Sequence, residues 1–412
     1  MRSKKLSIGL TAVLATFAAL FVTVKHAAAQ TETVLHSFDS ASKDGNNPCG
    51  SLIFDSAGDL YGTTVTGGAA ARADGTVYEF SPNVGGGWTE KGLHSFGNGN
   101  DGIFPYGNVI VDSAGNLYGT ASTLGAYGYG MVYELTPRAG GGWTEKGLHS
   151  FGDGFGDGRY PMAGLIFDSA GNLYGMTNEG GVYSFGTVFE LTPNAGGSWT
   201  EKVLYSFGHD NDGSQPVGDL IFDAAGNLYG VTAFGGAHKT GIVFELTPTT
   251  SGPWTESVLH DFEGGTDGYA PVGSLIFDAA GNLYGVTNRG GDNYQGRVFQ
   301  LSPIAGGWTE TALHDFDAGG VDGTYPEGSV IFDTSGNLYG TTSSGGVHGD
   351  GIVYELSPVA GGNWTETVLH AFHGADGTGS CSGLIFDGSG NLYGTTRYGG
   401  GNNSGTVFEI TP

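Results

Sequence analysis

The chain has 412 residues, 80 of them glycine and only two cysteine, with a formal net charge of −26. A surface this acidic repels phosphate backbones, so nucleic acid is not an expected partner. The glycines fall between regularly recurring apolar runs, which points to many tight turns and not to disorder.

Residues 1–29 read as a signal peptide. Arg2, Lys4 and Lys5 form a basic start, an apolar stretch follows to about Val24, and Ala27-Ala28-Ala29 fits a small-residue cleavage site. An uncleaved anchor is the alternative. Cleavage would remove four basic and no acidic residues, taking the formal charge to −30. No other stretch approaches the roughly 18 apolar residues that span a bilayer. Residues 30–412 are therefore expected to form one exported domain without a transmembrane segment. We expect it to be secreted, or periplasmic or held at the cell surface, and monomeric.

Mature sequence opens on residues 31–38 (TETVLHSF), a run that recurs as the fourth strand of a repeat. The repeat is marked by Leu-Tyr-Gly at Leu60, Leu117, Leu173, Leu228, Leu283, Leu338 and Leu392, seven copies spaced by 54 to 57 residues. In the copy at 216–262, DLIFD (219–223) leads through Ala224-Ala225-Gly226 into NLYGVT (227–232). A loop carrying Gly235-Gly236 leads to GIVFELT (241–247), and then comes WTESVLHDF (254–262). Short apolar runs bounded by Gly, Asp, Asn and Pro read as strands, here named a, b, c and d. The D-x-x-G-N joint is a tight a–b hairpin. A four-stranded unit repeated seven times predicts an all-β, seven-bladed β-propeller, with an open β-solenoid as the alternative.

The last copy stops at strand c (405–412), so the N-terminal strand d is expected to complete the last blade and close the ring. Cys49 and Cys381 lie three residues before Leu52 and Leu384 of strand a, in the first and last blades. Closure makes those blades neighbours and brings a Cys49–Cys381 disulfide within reach. Two free buried thiols are the other reading.

The repeated polar residues read as structural. His36, His94, His149, His260, His314 and His370 share one strand-d position, with Tyr205 in the seventh copy. They are spread around the rim, cannot converge on one ion, and are expected to be packed or capped edge residues. The strand-d tryptophans, Trp254 among them, are expected between blades. The strand-c glutamates, replaced once by Gln300, suit a structural hydrogen bond. Asp223 and its equivalents cap the hairpin turn. An Asp-Gly pair precedes each strand a, and at Asp210-Asn211-Asp212-Gly213 it gathers oxygen ligands. Asp210 and Asp212 are the metal-ligand candidates, for calcium, although no loop completes an EF-hand pattern. No other cofactor is expected. Signatures of serine hydrolases, zincins and P-loops are absent.

Loop residues vary between copies. The b–c and d–a connections of an up-and-down blade emerge on one face, here called the loop face. That face is expected to carry the ligand-binding candidates Tyr106, Tyr129, Tyr160, Phe234, His238, Tyr294, Tyr325, Glu327, His348 and Tyr398.

The unit P-x-G-x-L-I-F-D-x-x-G-N-L-Y-G-x-T…G-G…G-x-V-F-E-L-x-P resembles the Gloeo/Verruco (GloVer) tandem repeat of exported bacterial proteins, over essentially the whole mature chain. Its D-x-x-G-N-L-Y-G strand pair is similar, less specifically, to NHL-type propellers and to exported lyases and lactonases. The first resemblance implies no particular activity. Two functions are carried forward. One is a non-catalytic binding or scaffold module for an extracellular carbohydrate or protein on the loop face. The other is a lactonase- or lyase-type enzyme with its site at the channel mouth.

Overall fold

The a–b hairpin is where the fold of each unit starts. Asp223 Oδ1 accepts the backbone N–H groups of Ala225 (2.8 Å) and Asn227 (2.9 Å), and Gly226 supplies the left-handed φ of +88° that the turn needs. Strand b then pairs with strand c, Leu228 opposite Leu246, Tyr229 opposite Glu245 and Gly230 opposite Phe244. The Tyr229 hydroxyl lies 3.0 Å from Glu245 and 3.3 Å from Asp223, so the strand-c glutamate is a structural partner as expected.

The structure is a computed structural model describing residues 30–411, apart from 42, 71 and 251; the expected signal peptide lies outside the described residues. The described residues form seven antiparallel four-stranded blades around an axis. Blades 1 to 6 occupy residues 46–95, 102–150, 158–206, 213–261, 269–315 and 323–371. Blade 7 combines 385–411 with the N-terminal strand Thr31–Ser37, which pairs with Thr406–Thr411 from Thr31–Thr411 to Ser37–Thr406. The expected ring closure is the observed one. The described residues contain a single three-residue 3₁₀ turn, Gly265–Asp267, and no helix long and apolar enough to cross a membrane.

Strand a departs from the expectation. In blades 2, 3, 4 and 6 it starts earlier, at the glycine of the Asp-Gly pair, and in blade 4 it runs as Gly213–Phe222. Its register shifts between Val217 and Ile221, so Gly218 and Asp219 leave the ladder and line the axis while Leu220 turns into the core. In blades 1, 2, 3 and 6 the same break splits the strand in two.

Neighbouring blades interlock through aromatic rings. The residue after each strand-d end, Phe38, Phe96, Phe151, Phe207, Phe262, Phe316 or Phe372, is fully buried. It packs at 5.0–5.3 Å on the strand-c ring of the next blade: Tyr78, Tyr133, Phe189, Phe244, Phe299, Tyr354 or Phe408. The tryptophans also pack between blades, as Trp254 does against Tyr174 (6.5 Å) and Trp88 against Tyr393 (5.9 Å). Such pairs contribute about 0.5–1.5 kcal/mol each beyond their burial.

Near the axis, Cys49 and Cys381 form a disulfide across the closing joint, with a Cα–Cα separation of 5.4 Å. The covalent loop spans 332 residues, so its loss frees a long stretch of unfolded chain. Replacing both cysteines with serine should lower unfolding stability by about 2–4 kcal/mol in denaturant titration. Unreduced, unfolded parent should titrate with no free thiol. Two reactive thiols in that assay would contradict the bond.

Candidate functional site

The axial cavity is built from the break in strand a. Each blade contributes a short segment after its proline (Ser380 in blade 7), for example Val217-Gly218-Asp219 or Glu327-Gly328-Ser329, around a cavity of about 400 Å³. The inner ring is tied laterally. Asp219 Oδ1 accepts the Gly164 N–H (2.6 Å), the Asp219 N–H bonds the Ser274 hydroxyl (2.9 Å), and the Ser274 N–H bonds Ser329 (2.7 Å). Burial holds the Asp219 carboxyl above its usual range, against the opposing Gly164 and Ser274 hydrogen bonds. Sequence reading treated Asp219 only as the start of strand a.

The loop face is fixed by a second recurring device. The residue before each of six prolines is left-handed: Asn47, Phe104, Tyr160, Gln215, Ala270 and Tyr325, with φ of 53–59°. Its N–H is donated to a carbonyl in the b–c loop of the preceding blade, as from Tyr160 to Tyr129 (2.8 Å) and from Tyr325 to Gln295 (2.7 Å). These bonds put the b–c and d–a connections on one face, as expected. A left-handed non-glycine residue costs on the order of 1 kcal/mol or more, so the surrounding joint must over-determine it.

The candidates divide into those at the mouth and those away from it. Tyr106 and Glu327 line the cavity. Tyr129 and Tyr160 meet edge to face at 5.6 Å, and the Arg159 guanidinium lies 4.4 Å over Tyr129. Arg289 lies 4.8 Å over Tyr325, and Arg397 lies 5.4 Å from the Tyr398 ring centre. Burial raises the Glu327 carboxyl, opposed by the Ser343 hydroxyl and by the charges of Arg397 and Arg289. Arg397 Nε is shut off from solvent and has no hydrogen-bond partner. His238 lies instead 3.6 Å from Asp261 on the outer strand, and His348 stacks at 5.8 Å on His373 just beyond another outer strand. Phe234 is exposed at the end of strand b, paired with Ser214, and not on the loop, while Tyr294 is exposed on its loop. The histidines are thus not brought to Glu327. Arg159, Arg289 and Arg397 were missed in the sequence, although they break the repeat as clearly as Glu327 does.

The two metal-ligand candidates part company. Asp212 turns inward, accepting from the Tyr205 hydroxyl (2.9 Å) and the Gly208 N–H (2.8 Å), whereas Asp210 is exposed beside His209 (3.0 Å).

The rim histidines do not meet one another, but each is more than an edge residue. Its ring packs edge-on against the phenylalanine two residues on, at 4.5–5.0 Å. Its Nε2 faces the aspartate of the next Asp-Gly pair, as His370 does with Asp376 at 2.9 Å and His94 with Asp101 at 3.1 Å. A strand-d glutamate of the following blade stands beside each pair. Burial pushes Glu32, Glu90, Glu201 and Glu256 up to about 7, with a nearby aspartate adding to the shift in each.

The fold and its axis define a closed seven-bladed propeller made of tandem repeats. The Gloeobacter/Verrucomicrobia repeat matches residues 19–222, 71–278 and 198–408, and the chain belongs to that family. No curated protein matches it in sequence. Among solved structures it is similar to a protein named as a gluconolactonase (TM-score 0.44, 13% identity, 93% of this chain and 92% of that one). It is also similar to one from Bacteroides uniformis ATCC 8492 named as a 6-phosphogluconolactonase (0.49, 13%, 82% and 89%). A third is PorZ, a surface component of the type-IX secretion system of Porphyromonas gingivalis (0.46, 14%, 83% and 44%). At these identities no side-chain role carries over.

The rim carboxyls set a pH dependence. A carboxyl whose folded pKa is about 7, against 4.5 for the free group, binds its proton more tightly in the folded state. Stability therefore rises as pH falls through that window. The aspartates held low, Asp157, Asp267 and Asp376, lose their contribution only in more acid solution. The melting temperature should be higher at about pH 5 than at about pH 7.5, and Glu256→Gln should flatten part of that slope. A profile that is flat or falls toward pH 5 would contradict the assignment.

Proposed function

We propose that the protein is a non-catalytic binding module, exported from the cell, whose loop face takes an extracellular carbohydrate carrying carboxylate groups at the axial mouth. The observation that carries this reading is the set of three arginines placed on or beside tyrosine rings on that face. A mature chain of charge −30 that places Arg159, Arg289 and Arg397 on the same face as the channel mouth offers positive charge and flat aromatic surface together. Guanidinium forks suit carboxylates, and exposed ring faces suit the apolar side of a sugar.

A second reading rests on Glu327, a cavity-lining carboxyl raised by burial between two arginines, which is the pattern of an acid–base group. In that reading the mouth is a lactonase- or lyase-type site. His238 and His348 take no part in it.

Thermal melts with neutral and uronate-containing oligosaccharides test the first reading. A uronate-specific rise, weakening with added salt, is expected. Arg289→Ala combined with Arg397→Ala should weaken binding at least about tenfold, the worth of one charge-assisted hydrogen bond. No rise with any sugar overturns carbohydrate binding. Turnover of a lactone or uronate that is lost in Glu327→Gln would establish the second reading.

A further inference from the structure

At three joints the rim residues draw close enough to share one ion. Glu32, His370 and Asp376 converge between blades 6 and 7. His149, Asp157 and Glu201 do so between blades 2 and 3, and His314, Asp322 and Glu366 between blades 5 and 6. In each trio the nitrogen and two oxygen ligand atoms lie within 4.8 Å of one another. In each, the glutamate Oε1 is closed to solvent and has no hydrogen-bond partner. His149 Nε2 is likewise closed to solvent, with Asp157 at 3.5 Å as its ion-pair partner. A buried carboxylate unmatched beside a second one is costly, so each glutamate either keeps its proton or takes a positive complement in its place.

The chain supplies that complement once, from within. Between blades 4 and 5 the strand-c position held elsewhere by Thr187, Ile352 or Thr406 is Arg297. Its guanidinium lies 3.2 Å from Glu310 and 2.7 Å from Asp315, and its Nη1 donates to the Asp267 carbonyl at 3.5 Å. Glu310 is the glutamate equivalent to Glu32, Glu201 and Glu366, and here its Oε1 is satisfied. One of the seven related joints therefore contains a permanent cation, an arginine, where the three trios have histidine alone.

We propose that these three trios are binding sites for a divalent transition-metal ion, zinc foremost. One imidazole nitrogen and two carboxylates form a borderline ligand set that suits zinc better than calcium, which prefers oxygen alone. The joint between blades 6 and 7 has a fourth ligand to hand, because His373 Nδ1 sits 2.6 Å from Asp376. Glu32 lies on the N-terminal strand, and the ion at that joint would clasp this strand to blade 6.

The test is zinc titration of the chelator-stripped chain, followed by calorimetry and by metal analysis after gel filtration. Three ions per chain are expected, the tightest at the joint containing His373. Glu32→Gln, Glu201→Gln and Glu366→Gln should each remove one ion, and Glu310→Gln none. The isosteric changes should leave the metal-free melt within a few degrees of the parent, which separates lost binding from lost folding. Zinc should raise the parent's melting temperature, and chelator should reverse the rise. A parent that binds less than one ion, or a count that none of the three variants lowers, overturns the proposal. A single variant that leaves the count unchanged removes its joint.

Discussion

Everything in this ring depends on a glycine lying under an aromatic ring. Gly230 of Leu-Tyr-Gly faces Phe244 across the b–c ladder, and a Cβ there would run into that ring. The same overlap recurs at Gly62 under Tyr78, Gly119 under Tyr133, Gly175 under Phe189 and Gly285 under Phe299. Because the ring can lie flat over its own blade, its other side is open to the phenylalanine that ends strand d of the preceding blade. One missing side chain thus sets both the packing within a blade and the contact between blades. Alanine at these positions would displace a fully buried ring and loosen two blades together.

A second glycine completes the joint. Gly241, at the entry to strand c, has φ of +102° and lies against Pro271 of the next blade, leaving no room for a side chain. Gly75, Gly130, Gly186 and Gly296 meet Pro105, Pro161, Pro216 and Pro326 in the same way. Gly351 is the variation, because blade 7 carries Ser380 where the others have proline, and there the close neighbour is the Thr342 carbonyl. The joint before blade 7 therefore lacks the proline contact, although Ser380 bonds the Thr395 carbonyl at 3.0 Å. The disulfide and the pairing of Thr31–Ser37 restrain that blade instead.

This economy explains what could be read from the chain. The blade count, the strand order and the closing pair Cys49–Cys381 follow from period and position, and both are explicit in a repeat. The start of strand a is not legible in the sequence, because the residues that leave the ladder, Gly218 and Asp219, look like any loop ahead of an apolar run. The left-handed residues before proline were illegible for a different reason. Tyr160 and Tyr325 hold that conformation only because a carbonyl of the neighbouring blade receives their N–H. The rim trios are not legible in the sequence, because each histidine's copies lie far away around the ring. Its true neighbours are an aspartate six to eight residues on and a glutamate one blade later.

Repetition and function pull in opposite directions here. Residues copied seven times, such as Tyr229 with Asp223, are consumed by hydrogen bonds that every blade repeats. Chemistry directed at a ligand on the axis has to come from positions where copies differ, because a sevenfold ring presents one centre, not seven. The differences gather there. Glu327 and Tyr106 stand where other blades place Val217, Val272 or Met162, and the arginines of the loop face occur once each. At the rim the logic reverses, since a joint between blades is itself repeated and can carry the same trio several times. Arg297 shows how little separates the two designs. A single long cation on strand c turns a trio of unmatched groups into a closed ion-pair network, with Glu310 and Asp315 satisfied by the chain alone.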